Sequence, residues 1–160
     1  MAANMMMEAL HFVKGIDPIA DAFAGANVRS DVVSLRGYGR ALFAIHVGVG
    51  ATGSSTILVN SCDAASPTVR TPIAYWSREI TTGDTEGAVT RRTSAGYVYT
   101  VGSSKIVLIE VDAKDLAAGD EWVELELDES VNDPVLAGVL VILGGRPSRC
   151  PEDVKATAIV

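Results

Sequence analysis

Histidine, cysteine and aromatic residues are all scarce in this chain, and each shortage closes off a class of chemistry. Nucleophilic catalysis needs a base within hydrogen-bond reach of its nucleophile, most often a histidine. Only His11 and His46 are available. His46 sits in "FAIHVGV", with Phe43, Ile45 and Val47 on the opposite face of a strand, which is the setting of a structural or interface residue. There is no GxSxG elbow, and "GVGATGSS" (48–55) lacks the lysine and following helix of a phosphate loop. Cys62 and Cys150 have no CxxC spacing and no neighbouring ligand, so neither a disulfide framework nor a metal site is expected, only two free thiols in a reducing cytosol. The expectation is a protein that is not an enzyme and has no cofactor.

Basic charge is also short. Lysine and arginine number 13 against 20 acidic residues, a net charge of -7, which ill suits a protein that must neutralise phosphates. No direct nucleic-acid partner is expected, and no apolar run is long enough to cross a membrane as a helix. The start, "MAANMMMEALHFVKG", lacks a basic n-region and a cleavage site and reads as mature sequence. Mean hydropathy is nevertheless +0.27. A chain that apolar, without a membrane span, has surface to spare for another protein.

From Ser30 onward, short runs rich in Val, Ile, Tyr and Thr alternate with Gly, Pro, Ser and Asp clusters, the pattern of an all-β domain. About eight strands are predicted, near 31–35, 41–49, 56–62, 73–80, 96–101, 105–111, 122–128 and 135–143. The glycine-containing links 48–55 and 101–104 predict that strands two and three, and strands five and six, are hairpin neighbours. Asp112 and Gly119 bracket one helical turn in "DAKDLAAGD". Eight antiparallel strands most often close as a two-sheet β-sandwich of the jelly-roll type. The predicted organisation is a single domain, with an N-terminal arm over 1–29 and the jelly roll over 30–160. Within the arm, "DPIADAFAG" predicts a two-turn helix with Asp17 as cap, and Met6, Leu10 and Val13 fit one face of a helical turn. The Met cluster suits equally an adaptable arm lying on a neighbour.

"EWVELELDESVNDPVLAGVLVILGG" (121–145) holds two unlike strands. The first alternates Val123, Leu125 and Leu127 with Glu124, Glu126 and Asp128, which predicts one dry face and one solvated face. Carboxylates spaced by two on a solvated face do not make a glycosidase pair. Asp128, Glu129, Asn132 and Asp133 lack the spacing of a calcium loop and suit turn chemistry before Pro134. The second strand, "VLAGVLVIL", is apolar on both faces, and its outer face requires a cover: a sister subunit, a larger assembly, or the chain's own arm. Tyr75 and Trp76 must point to opposite faces, while Tyr97 and Tyr99 share one and suit core packing. The polar connection 81–96, with Arg91 and Arg92, is longer than a hairpin needs and fits a contact loop or a mobile one.

The order of "SDVVSLRGYGRALFAIHVGVGATGSSTILVNSCDAA", "REITTGDTEGAV", "SSKIVLIEVDAKDL" and "VNDPVLAGVLVILGGRPS" resembles a group of short proteins encoded among the head genes of tailed phages and prophages. The resemblance covers about 30–147 and lies in motifs of a fold, not of an active site. It implies a capsid decoration, or cement, protein: a jelly-roll module made in the bacterial cytoplasm that binds the outside of the major capsid shell and stabilises the head. The implied partners are the major capsid protein and the chain itself, as a homotrimer ahead of a homodimer. The expected interface residues are Met5, Met6, Met7, Leu10 and Phe12 of the arm, Arg91 and Arg92 of the long loop, and Leu136, Gly138, Leu140 and Ile142 of the two-faced strand. A tail or virion-surface β-sandwich that binds a host receptor or glycan is the alternative.

Overall fold

A computed structural model describes residues 6–23 and 27–145. The expectations placed on Met5 and Cys150 lie outside them. A single helical turn, α1 (Met6–Ala9), leads into β1 (His11–Ile19), followed by the short β2 (Val28–Arg29) and β3 (Val33–Ser34). Then come β4 (Arg40–Val47), β5 (Ser54–Cys62), β6 (Arg70–Pro72), β7 (Tyr75–Thr81), β8 (Thr85–Glu86) and β9 (Thr90–Arg92). The last four are β10 (Tyr97–Thr100), β11 (Lys105–Asp112), β12 (Trp122–Val131) and β13 (Ala137–Gly144).

Among the described residues these strands form two antiparallel sheets. One runs β1-β13-β4-β11-β7-β8, with β9 also on β7; the other runs β10-β5-β12-β2, with β3 on β12 and β6 on β5. The four-strand halves β1-β13-β4-β11 and β2/β3-β12-β5-β10 face each other as in a jelly roll. The chain between β5 and β10 adds β7, β8 and β9 to the edge beside β11. Alternation makes the core: Ala41, Phe43, Ile45 and Val47 of β4 and Val107, Ile109 and Val111 of β11 meet Ile57 and Val59 of β5 and Val123, Leu125 and Leu127 of β12, all buried. The Tyr75 hydroxyl ties the sheets together by donating to the Ile57 carbonyl at 2.6 Å. Phe23 packs edge-on against Tyr99 at 6.0 Å between ring centroids.

Each of the eight predicted strands has a counterpart, and three expectations fail. Residues 11–19, read as arm, form the edge strand β1, paired with β13 from His11↔Leu143 to Ile19↔Ala137. The helix expected over "DPIADAFAG" does not form in its described residues, 17–23: Asp17, Pro18 and Ile19 end β1, and Phe23 is buried in the core. Because β1 is an edge, Pro18 without its N–H need not break a ladder. The two hairpins are also absent, since β4 and β11 lie in one sheet and β5 and β10 in the other. A glycine-rich link serves as well to arch across the roughly 10 Å between sheets as to turn within one. The better partners decide, β13 and β11 for β4 and β12 for β5. The turn between β11 and β12 is present as a 3-10 turn, Ala113–Asp115, capped by the Asp112 side chain on the Lys114 N–H.

Three loop carboxylates hold chain crossings by accepting hydrogen bonds: Asp63 from the Thr68 hydroxyl and the Thr68 and Val69 amides, Asp112 from Lys114, and Asp133 from the Thr52 amide and hydroxyl. These bonds hold all three below the ordinary value of 3.8. Asp31 goes the other way, raised chiefly by burial. A carboxylate depressed on folding contributes stability above its unfolded pKa and loses it as pH falls through the folded value. The urea midpoint should therefore be flat from about pH 7 to about pH 5 and decline below about pH 4, and Asp133→Asn should soften that decline. A midpoint that holds or rises on acidification would contradict the assignment.

Candidate protein-binding face

The first sheet is apolar on its inner face and over the centre of its outer one. Ala137, Val139, Val141 and Leu143 of β13 point into the core, so Gly138, Leu140 and Ile142 point out, joined by Leu136 just before the strand. The ladder then dictates what lies beside them. Leu140 lies between Lys14 and Ala44, and Ala44 is followed by Leu108. Ile142 lies between Phe12 and Leu42, and Gly138 next to His46 and Ile106. Phe12 is 45% exposed, Leu136 56% and Leu140 42%, while Leu42, Ala44, Leu108, Ile106 and Ile142 are partly exposed. No described residue covers this surface as a whole.

Two points are covered by the chain itself. A side chain on Gly138 would stand 3.2 Å from Pro18, and one on Gly144 would stand 3.0 Å from Leu10. The close approach that Gly138 permits is therefore taken by the chain's own edge strand. Beside it lies a hollow of about 600 Å³, floored by Ala44 and Gly138, walled by Leu136, Leu140, Ile16 and Pro18, and edged by Lys14, Asp17 and His46. Charges around the face are paired within the chain: Lys14 with Asp17 at 3.2 Å, Arg40 with Glu110 at 2.8 Å and Arg78 with Glu86 at 2.9 Å.

The expected interface residues divide accordingly. Phe12, Leu136, Gly138, Leu140 and Ile142 come together on this face, Leu10 closes one end of it, and Met6, 74% exposed, lies in α1 with Met7. Arg91 and Arg92 do not join them as free cations. Arg91 lies over the Trp76 ring and binds Asp115 at 2.9 Å. Arg92 lies over Tyr97 and donates to the Ser77 hydroxyl at 2.8 Å. The stretch 81–96 is partly folded, as β8 and β9 on the edge of β7.

The second sheet overturns the solvated-face reading of β12. Glu124 is 1% exposed and Glu126 is also buried, because side chains from neighbouring segments of the same sheet, Asn27, Arg29, Asn60 and Arg70, reach across them. Arg70 Nε donates to Glu124 at 2.7 Å, Arg29 lies 3.2 Å from Glu126, and Asn60 donates to Glu126 at 2.7 Å and to Glu124 at 3.4 Å. Asn27 also donates to Glu126. Two carboxylates facing two guanidiniums form a closed, charge-balanced lock. Beside it Cys62 is buried, and burial with Glu124 nearby pushes its thiol up to about 12. Among the described residues no group of three or more His, Cys, Asp or Glu gathers as a metal site, and no helix is long and apolar enough to cross a membrane.

No model of a known protein family matches the chain, and no curated protein matches it. Among solved structures it is similar to the crystal structure of SPBc2 prophage-derived protein YomS, at 13% identity and a TM-score of 0.46, over 84% of this chain and 91% of that one.

Leu42, Ala44, Ile106 and Leu108 were missed as face residues. Their signal was present in "ALFAIHV" and "KIVLIEV", each apolar on both strand faces like "VLAGVLVIL".

If the outer face serves a partner, its residues contribute little to folding of the single chain. At sub-micromolar concentration, Leu143→Ala, in the core, should cost about 2–5 kcal/mol, whereas Leu140→Ala, on the outer face, should cost less than about 1 kcal/mol. Equal losses in chemical denaturation would mean the outer face is part of the fold. Arg70→Ala leaves Glu124 buried beside one cation fewer and should cost about 2–4 kcal/mol, the lower side of the range for broken buried pairs because Arg70 is partly exposed. A loss under about 0.5 kcal/mol, the scale of a surface pair, would remove the lock.

Proposed function

We propose that the chain is a structural virion protein, a decoration or cement protein that binds the outside of a tailed-phage capsid and stabilises the head. The observation that carries this reading is the apolar outer face of the first sheet, which the described chain leaves uncovered. The jelly-roll architecture and the sequence resemblance to phage head proteins support it. Many copies bridging capsomers stabilise the assembled state by mass action, and repetition makes modest single contacts sufficient. The function is summed binding energy, and no bond is made or broken. Capsids depleted of the chain should release DNA at a lower temperature than complete ones, and adding the protein back should restore them. Stripped and complete particles that melt alike would end the cement reading.

One observation favours a second reading, a virion-surface module that binds a host glycan. Trp76, with Arg91 over its ring, lines a concavity of about 320 Å³ with Arg40, Glu110, Asp112 and Lys114, and an aromatic ring among hydrogen-bonding groups suits a sugar. Quenching of tryptophan fluorescence by members of a glycan panel, lost in Trp76→Phe, would favour it.

A further inference from the structure

The apolar face is built to fit itself. Take the line across the strands through Leu140, Ala44 and Leu108. On one side of it lie Phe12, Ile142 and Leu42, followed by Glu110; on the other lie Gly138 and the hollow beside it on β1 and β13, followed by His46 and Ile106. Both features are two residues from the line. A rotation of 180° about an axis lying along that line, between two facing copies, places the bulky half of each copy on the hollow half of the other. We infer that this face is a two-fold interface, at which a second copy of the chain is the occupant.

Size and charge agree. The face spans β1, β13, β4, β11 and β7. Five strands about 4.8 Å apart and some eight residues long cover roughly 600 Å² in plan, an apolar centre with Arg40, Arg78, Glu110 and Asp112 around it. Accessible area exceeds plan area, so each copy can offer the approximately 800 Å² of a standard-size interface. The chain carries a net charge of -7, but the ion pairs around this face join opposite signs within each copy. The line runs on to Lys14 and Arg78, which the rotation sets opposite their own counterparts, each beside its neutralising partner Asp17 or Glu86. A three-fold ring joins two different patches, whereas one patch with its bulge and its hollow on either side of a line is the isologous, two-fold case. The self-association expected from the sequence is thereby given a two-fold symmetry in place of a trimer.

The inference concerns the free protein and uses the same face as the capsid reading, but sedimentation tests the pairing of copies and capsid melting tests shell binding, so the failure of one is distinguishable from the failure of the other. Sedimentation equilibrium of the full chain should give a dimer at micromolar concentration. Leu140→Asp, at the centre of the face, should raise the dissociation constant by about thirtyfold or more. His46→Glu, on the hollow half, should weaken it as well, and unchanged circular dichroism in both variants separates lost association from lost folding. Symmetry has its own readout. In a Cys150→Ser background, where Cys62 is buried, the single reactive thiol of Leu140→Cys lies near its own mate across the axis. A short bismaleimide spanning about 10 Å, the spacing of packed sheets, should yield covalent dimers and nothing larger. A monomer at all concentrations, a trimer, or Leu140→Cys chains that do not cross-link would each overturn the inference.

Discussion

A β-strand sends alternate side chains to opposite faces, so a strand that is apolar at every position can bury only half of itself in its own core. β13 carries this constraint. Paired on both edges, by β1 and β4, its inner residues close the sandwich and its outer residues are left to another surface. β4 and β11 repeat the pattern in their central outward residues, Leu42, Ala44, Ile106 and Leu108, so the property extends across the middle of the sheet. An intermediate degree of exposure at Leu42, Ala44, Leu108 and Ile142 means that side-by-side packing hides part of each side chain. What remains apolar and uncovered is free energy available to association.

The second sheet meets the same alternation with the opposite chemistry. β12 sends out Glu124 and Glu126, and the neighbouring segments of the same sheet reach across them with Asn27 and Arg29, Asn60 of β5 and Arg70 of β6. The cluster is costly to desolvate and more costly to break, so it fixes how the crossings at 27–29 and 63–72 sit on the sheet. One outer face is thus closed by polar partners within the chain, and the apolar centre of the other is left open by the described residues. A module that must be rigid on one side and adhesive on the other has that division of labour.

Strand periodicity was legible in the sequence wherever one face was dry, and it located β4, β5, β11, β12 and β13. It could not tell which strands share a sheet, because the loops 48–53 and 101–104 have the same glycine-rich chemistry whether they turn or arch. β1 was hidden by Pro18 and Asp17, which mimic a helix start and are tolerated here because β1 lies at an edge. The wet face of β12 was misread because alternation reports polarity, and only tertiary contacts bring Arg29 and Arg70 to Glu126 and Glu124. For the candidate face, "VLAGVLVIL" was the correct pointer, but it named one strand of a surface that several strands build. Arg91 and Arg92 show the reverse error: a basic pair on a polar stretch reads as available when both guanidiniums are spent on rings and hydroxyl or carboxylate groups of the same chain.

The central claim is that the outer face of the first sheet is a protein-binding surface. Hydroxyl-radical footprinting read by mass spectrometry tests it most directly, on free protein over a concentration series and then on protein added to capsid shells. Val69 and Val98, exposed away from this face, serve as internal controls. The account predicts that Phe12, Leu136 and Leu140 lose reactivity relative to the two valines as copies or shells are added. Oxidation of those residues in constant proportion to the valines under every condition would contradict it.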